Sequence, residues 1–209
     1  MPATALPHAL GAAAQALAAS APELNRLDGF AGDGDLGVTM TVVAEVAQEV
    51  LAREEADGTR LLSSLGAAIA RRAPSTSGTL LATACLRASQ ALRDDQGAPV
   101  EVMLHCFSAA LEGVMARGKA EPGDRTLVDG LNAICGSLER SVADGTSWPL
   151  ALLEAAGAAQ AMAEATSNME PRKGRASWVP QRALGHPDAG CSMLAIGLQA
   201  AAQACQPLP

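Results

Sequence analysis

Three aspartates in one short segment are the residues of this sequence best suited to chemistry. Asp28, Asp33 and Asp35 lie within eight residues of one another, among four glycines. Like charges held a few ångströms apart raise one another's pKa and oppose folding unless a proton or a metal ion neutralises them. Because the glycines let the backbone turn through positive φ, the three carboxylates can converge on one cation.

Hard oxygen ligands of this kind favour Mg²⁺ or Ca²⁺. An EF-hand calcium loop is excluded, because the twelfth residue counted from Asp28 is Thr39 and not a glutamate. Mg²⁺ takes a few carboxylates and completes its octahedron with water and substrate phosphate, which fits so small a ligand set. The alternative interpretation is a solvated turn in which an aspartate caps the following helix.

Two glycine-rich matches to nucleotide-binding motifs are rejected. Residues 32–37 fit the spacing G-x-G-x-x-G, but no strand precedes them and their two aspartates would repel a pyrophosphate. Residues 113–120 nearly match a P-loop, but they lack the closing Ser or Thr and follow a helical stretch instead of a strand.

Three further segments could take part in phosphate binding. Residues 75–79, Ser-Thr-Ser-Gly-Thr, open a helix with hydroxyls and a flexible backbone, which suits an anion site or, equally, an ordinary Ser/Thr cap. Residues 117–126 join two helical stretches and are a weak signal alone. Residues 171–188 concentrate positive charge that could neutralise phosphates or form a solvated loop. Their basic residues are Arg172, Lys173, Arg175 and Arg182.

The elements that must position these segments are helical. Only 2% of the 209 residues are aromatic, whereas alanine and leucine are abundant, which favours helices over strands. In one stretch Met40, Val43 and Val50 recur at helical spacing, which predicts one buried face. The sequence therefore predicts a single all-α domain over 1–209, with a first loop (residues 26–37) and a second loop (residues 171–188) outside the helices. The predicted helices are about eight in number, at 5–20, 38–56, 60–72, 78–93, 99–117, 125–143, 148–168 and 189–204.

Composition excludes several classes of protein. The net charge of −7, which no lysine or arginine cluster offsets, argues against a nucleic-acid partner. The apolar N-terminus lacks the basic region of a secretory signal, so we interpret it as a core helix. Five cysteines without C-x-x-C spacing predict reduced thiols and a cytoplasmic location. No apolar run reaches membrane-spanning length, so no membrane partner is expected.

Taken together and in this order, the motifs resemble the L subunit, or L domain, of dihydroxyacetone kinase. The resemblance runs nearly end to end. It is carried by LDGFAGDGDLGVTM, by the STSG helix start, by RGKAEPGDRTLVDGL and above all by KGRASWVPQRALGHPDAGCSML. The probability that all four motifs occur in one chain by chance is very small.

The resemblance implies a closed barrel of eight antiparallel amphipathic helices, with ADP or ATP and two Mg²⁺ ions bound among the loops at one end. Asp28, Asp33 and Asp35 match the family's magnesium ligands. Arg175 matches a nucleotide-contacting arginine and is expected to stabilise charge at the transferred phosphoryl group. The other matching nucleotide-binding positions are Leu36, Gly37, Val38 and Thr39 with Thr76 and Ser77 near the phosphates, Gly118 and Leu127 beside the adenine, and Asp188, Ala189 and Gly190 in a loop that closes over the nucleotide.

The resemblance also implies a division of labour. The L component carries the phosphoryl donor, and a K subunit holds the short-chain ketose on its own histidine. We therefore assign none of this chain's histidines to the ketose: His8 and His105 are interpreted as helix-packing residues, and His186 belongs to the nucleotide loop. An alternative within the family is a non-catalytic Mg-nucleotide sensor that binds a transcription regulator. An unrelated helical hydrolase is disfavoured because the first loop has no histidine.

Leu36 departs from the family pattern. Subunits that a phosphoenolpyruvate-dependent phosphocarrier protein recharges often have histidine there, whereas ATP-using fused kinases often have a small or polar residue. Two routes therefore stay open. A phosphocarrier rephosphorylates bound ADP in place, which the KGRAS loop favours, or ATP exchanges freely.

Overall fold

The structure is a computed structural model that describes residues 5–53, 57–95 and 97–206. Within those ranges it contains α-helices, two 3-10 turns (Thr166–Asn168 and Arg175–Trp178) and no strand, which confirms the all-α prediction. The α-helices are α1 (Ala5–Ala19), α2 (Ala21–Gly29), α3 (Leu36–Leu51), α4 (Gly58–Arg72), α5 (Thr76–Asp94), α6 (Pro99–Gly118), α7 (Leu127–Ala143), α8 (Trp148–Ala165), α9 (Pro180–Ala183) and α10 (Ala189–Ala204).

Each predicted helix corresponds to one of the eight long helices of the structure. Residues 54–56, the predicted end of the second helix, lie outside the described residues. The structure adds two short helices: α2 covers residues 21–25, to which the prediction assigned no element, together with the start of the first loop, and α9 lies within the second loop.

The long helices form a closed ring. Around the ring, α1 packs on α3, and each helix from α3 to α7 packs on the helix that follows it. Helix α8 then packs on α10, and α10 packs on α1. Connections of a few residues make successive helices antiparallel. Consequently the connections α2–α3, α4–α5, α6–α7 and α8–α10 all lie at one end of the barrel.

Amphipathic faces and small residues explain the packing. Helix α3 buries Met40, Val43, Val46 and Val50 on one face, as its spacing predicts. Helix α8 instead buries a row of alanines, which lets its backbone approach α7 and α10 closely. The interior is incompletely filled, since a cavity of about 230 Å³ remains between α1, α6 and α10, lined entirely by apolar side chains and glycine.

Helix α6 requires one correction to the sequence interpretation. Its 20 residues are long and apolar enough to cross a membrane by length and composition alone. In the structure the helix packs between α5 and α7 and buries Met103, Ala110 and Val114. One apolar stretch of membrane-spanning length is therefore present, contrary to the sequence interpretation.

Candidate metal and phosphate site

The three aspartates of the first loop converge as predicted. One carboxylate oxygen from each of Asp28, Asp33 and Asp35 lies within 4.8 Å of the others. Asp28, in the last turn of α2, organises the loop, because its Oδ2 accepts hydrogen bonds from the amides of Gly34 (2.9 Å) and Asp35 (3.1 Å). A Cβ at position 32 would lie 2.3 Å from Asp28 Oδ1, so any other residue there would displace this carboxylate.

The pKa values of Asp33 and Asp35 are shifted in opposite directions. The Arg175 guanidinium, which forms an ion pair with Asp33, holds the pKa of that carboxyl below its usual range. At Asp35, loss of hydration, followed by the negative charges of Asp33 and Asp28, raises the pKa. A fully ionised cluster is therefore unfavourable without a cation. Its donors are all carboxylate oxygens, which fits Mg²⁺.

The solvated-turn interpretation predicts that an aspartate caps α3, and the structure disagrees. Asp35 occupies the N-cap position, but its side chain accepts no hydrogen bond from the helix. The first free amides of α3 donate to Asn25 instead, from Gly37 at 2.6 Å and from Val38 at 3.3 Å. The carboxylate of Asp35 is thus left available to a ligand.

Four helix N-termini lie at this end of the barrel, and hydrogen bonds join them in two pairs. Thr39 on α3 donates to the hydroxyl of Ser75, the N-cap of α5, at 3.2 Å. Cys191 on α10 donates to the carbonyl of Thr126, the N-cap of α7, at 3.0 Å. Because each helix N-terminus carries a partial positive charge, their location at one end of the barrel favours an anion such as phosphate.

The expected nucleotide-binding residues are distributed over these N-termini. Ser75 caps α5 by accepting from the Gly78 amide, as the ordinary-cap interpretation predicts, and leaves Thr76 and Ser77 in the first turn. The amides of Gly37 and Val38 already donate hydrogen bonds to Asn25, so fewer amides remain available to a phosphate there than the resemblance implies. The remaining positions are the buried Leu36 and Thr39 on α3, the exposed Gly118 at the end of α6, the buried Leu127 at the start of α7, and Asp188, Ala189 and Gly190 at the start of α10.

The second loop lies on the first. Besides the ion pair between Arg175 and Asp33, Arg182 donates to the carbonyl of Gly29 at 3.3 Å. The rings of Phe30 and His186 stack, with centroids 3.4 Å apart and planes 4° from parallel. Arg175 itself stays half exposed, so its guanidinium is accessible to a ligand at the carboxylates.

Sequence reasoning missed residues that organise the loops from a distance. Asn25 holds the start of α3, Asp129 accepts from the amides of Gly123 and Thr126, and Arg125 binds carbonyls of the second loop. Only Asp129 had a readable signal, since Thr126 and Asp129 have the spacing of a capping box. The other two act across long separations in sequence.

Two histidines differ from their sequence interpretation. His8 is exposed on α1, and His105 is exposed on α6, where its Nδ1 pairs with Asp95 at 2.5 Å. Neither is a core-packing residue. His186 lies in the second loop as expected, in the stack with Phe30.

Comparison with known proteins agrees with the geometry. The family model of the DAK2 domain matches residues 30–203. The ADP-binding subunit DhaL of the PEP-dependent dihydroxyacetone kinase of Escherichia coli is 34% identical over 184 residues, which are 88% of this chain and 88% of that protein. The L-erythrulose kinase of Pectobacterium atrosepticum is 39% identical over 92% of this chain but only 33% of its own length. The human triokinase/FMN cyclase is 36% identical over 88% of this chain and 32% of its own.

The fold matches solved structures of the dihydroxyacetone kinase of C. freundii. The native form superposes with a TM-score of 0.74 and 27% identity, covering 95% of this chain and 34% of that one. A second structure of that kinase, in complex with AMP-PNP and Mg²⁺, has the same TM-score. This chain therefore spans about a third of the length of several proteins that it matches.

Proposed function

Because the chain belongs to the DAK2 domain family, we propose that it is the nucleotide-binding phosphotransfer component of a short-chain ketose kinase. It carries the phosphoryl group as Mg-ADP or Mg-ATP and transfers it to a ketose, such as dihydroxyacetone, that a K subunit holds. The names of its relatives support kinase chemistry, and the C. freundii complex with AMP-PNP and Mg²⁺ supports the cofactors.

One observation carries the proposal: three carboxylates within 4.8 Å of one another lie at the end of the barrel where four helix N-termini meet. Phosphoryl transfer requires little covalent chemistry from a protein, so positioning and charge stabilisation suffice. A metal-nucleotide site needs carboxylates that bind the metal and helix N-termini that attract the phosphates.

The residues of the chain have separate roles in this proposal. Asp28, Asp33 and Asp35 would hold two Mg²⁺ ions, which when bound supply charge neutralisation at the phosphate oxygens. The planar guanidinium of Arg175 offsets charge that develops on the transferred group. The second loop covers the first and excludes water. No side chain of the site acts as a covalent nucleophile, so the ketose must be oriented by the K subunit.

The donor is renewed by one of two routes. A phosphocarrier protein of a phosphoenolpyruvate-dependent system rephosphorylates bound ADP in place, or ATP replaces ADP. The buried Leu36 offers no imidazole for a relay, so the first route would depend on direct transfer to ADP. Either route is consistent with a cytoplasmic location, which we also propose.

The decisive experiment mixes purified protein, Mg-ATP and dihydroxyacetone with and without a K-type subunit and measures ketose phosphate. We expect product only when both proteins are present. A parallel reaction with phosphoenolpyruvate and the phosphocarrier proteins in place of ATP identifies the recharging route. Product from this chain alone would contradict the division of labour, and His186 would be the first residue to test for ketose binding.

The same experiment separates catalysis from nucleotide sensing. A protein that binds Mg-ADP in calorimetry but yields no product with any K subunit, under either donor, would contradict the kinase proposal. Regulator binding through the same face would then account for the site.

A further inference from the structure

Arg125 is an unusual residue in the connection between α6 and α7. It adopts φ 60°, in the left-handed region that non-glycine residues rarely occupy. Its side chain is nevertheless 3% exposed, so a guanidinium is buried as well. Both features are unfavourable by themselves. They are therefore expected where the contacts of the side chain compensate for them.

Those contacts are three backbone carbonyls. Nε donates to Thr166 at 2.8 Å, and Nη2 donates to Ala183 and to His186, each at 2.7 Å. The three acceptors lie at the end of α8, at the end of α9 and just before α10, respectively. The rigid fork of one arginine thus fastens the C-terminal part of the second loop to the α6–α7 connection and to the turn that follows α8.

The anchored segment, residues 183–188, is held at two further points. The amide of Asp188 donates to Thr166 Oγ1 at 2.7 Å, and the amide of Gly185 donates to the carbonyl of Ser167 at 2.9 Å. All of these contacts involve either Arg125 or the 3-10 turn that Arg125 binds. Arg125 is consequently the residue that joins this segment to the α6–α7 connection.

On its other side, the segment reaches the first loop, which carries the carboxylates. His186 stacks on Phe30, and Arg182, next to Ala183, donates to Gly29. Phe30 and Gly29 belong to the first loop, between Asp28 and Asp33. A displacement of residues 183–188 would therefore be transmitted to the loop that holds the metal ligands.

We propose that Arg125 is a positioning residue that holds residues 183–188 closed over the site through its hydrogen bonds to backbone carbonyls. The expected effect on nucleotide affinity rests on the proposed function, whereas the effect on the order of the segment does not. All three acceptors of the Arg125 side chain are backbone carbonyls, and its positive charge also favours the ionised form of the buried Asp188 carboxyl in the anchored segment.

The test compares Arg125→Met, which keeps an unbranched side chain, with Arg125→Lys, which keeps the charge but loses the fork. Arg140→Met, at an exposed position on α7, is the matched control. Hydrogen exchange measures the order of residues 183–188, and calorimetry measures Mg-ADP binding. Because hydrogen bonds to charged groups are strong, Arg125→Met should speed exchange in the segment and raise the Kd by about ten-fold or more. Arg125→Lys should lie between this variant and the parent, and Arg140→Met should behave as the parent.

A purely structural role predicts a different pattern. Exchange that rises uniformly over all helices of Arg125→Met, or that stays parental in residues 183–188, would overturn the proposal. If Arg125→Met does not fold, Arg125→Lys decides: selective acceleration in the segment supports the proposal, and uniform or unchanged exchange overturns it. A parent protein that binds no Mg-ADP would contradict the proposed function, while the exchange pattern would still decide the role of Arg125.

Discussion

Within the carboxylate cluster, the environment gives each aspartate a different task. Asp28 is committed through one oxygen to the loop amides, Asp33 shares its charge with Arg175, and Asp35 has a raised pKa and no partner from the helix that it begins. Asp28 therefore shapes the loop as well as contributing an oxygen, whereas Asp35 gains most from a cation. The sequence predicted the convergence of the three residues but not this difference, which depends on folded distances.

Replacing Asp33 or Asp35 with Asn should weaken Mg-ADP binding strongly, because each change removes a full carboxylate ligand and leaves phosphate charge uncompensated. The amide keeps the size of the side chain, so the fold should persist. Calorimetry with Mg-ADP measures the effect. Unchanged affinity in both variants would contradict the metal assignment.

Arg175→Lys tests the planar fork separately from the charge. We expect turnover with the K subunit to fall about ten-fold or more, equivalent to about 1.4 kcal/mol of lost transition-state contact. Stability should change little, because the side chain is 54% exposed. Arg172→Lys, an exposed neighbour in the same loop, is the matched control and should keep full turnover. Full turnover of Arg175→Lys as well would show that the residue is only a solvated loop charge.

At the scale of the helices, α2 shows where sequence reasoning stops. It has only nine residues, too few for helical propensity to decide, and the glycines that follow it suggested a loop. It is stabilised by tertiary contacts, since Leu24 and Leu27 are buried and Asn25 binds the start of α3. The long helices, in contrast, bury a periodic face, so their positions could be predicted.

At Gly37, the backbone of α3 lies very close to the start of α2. A Cβ there would lie 1.9 Å from the carbonyl oxygen of Ala21. Gly37→Ala should therefore separate the two helices and lower the free energy of unfolding by about 1–3 kcal/mol, as overpacking does. Gly157→Ala on α8, where nothing lies within 4 Å, is the control and should raise it by about 0.5–1 kcal/mol. Urea unfolding measures both, and equal effects of the two changes would contradict the close approach.

The second loop was predicted only in part for a related reason. Its basic residues identified Arg175, but the residue that anchors the loop lies 41 to 61 positions before the carbonyls that it binds. No local pattern records such a contact. The left-handed backbone conformation at Arg125 could not be predicted from the sequence either, because most non-glycine residues avoid this conformation and arginine is not typical of it.

For the whole molecule, the Gly, Pro, Asp and Ser residues between helical stretches predicted the number of long helices, whereas the closed order of the ring followed only from the family resemblance. Periodicity identifies which face of a helix is buried but not which neighbour covers it. The contact between α1 and α10 joins the two ends of the described chain, so it is the least local of all. The closed ring has a functional consequence, because it brings the N-termini of α3, α5, α7 and α10 to one end.

This architecture predicts that stability depends on the metal. The three carboxylates repel one another within 4.8 Å and link α2 to α3, so a cation that binds only the folded state should stabilise the whole barrel. At about 100 times its Kd, Mg²⁺ with ADP should contribute about 2.7 kcal/mol, a rise in Tm of roughly 5–10 °C for a chain of this size. Differential scanning calorimetry with Mg-ADP, with ADP and EDTA, and with EDTA alone measures the shift. Asp144→Asn, at an exposed aspartate after α7, should keep the full shift, whereas Asp35→Asn should lose most of it. An equal shift in both variants would mean that the cation binds elsewhere, and the carboxylate cluster would then be only a feature of the first loop.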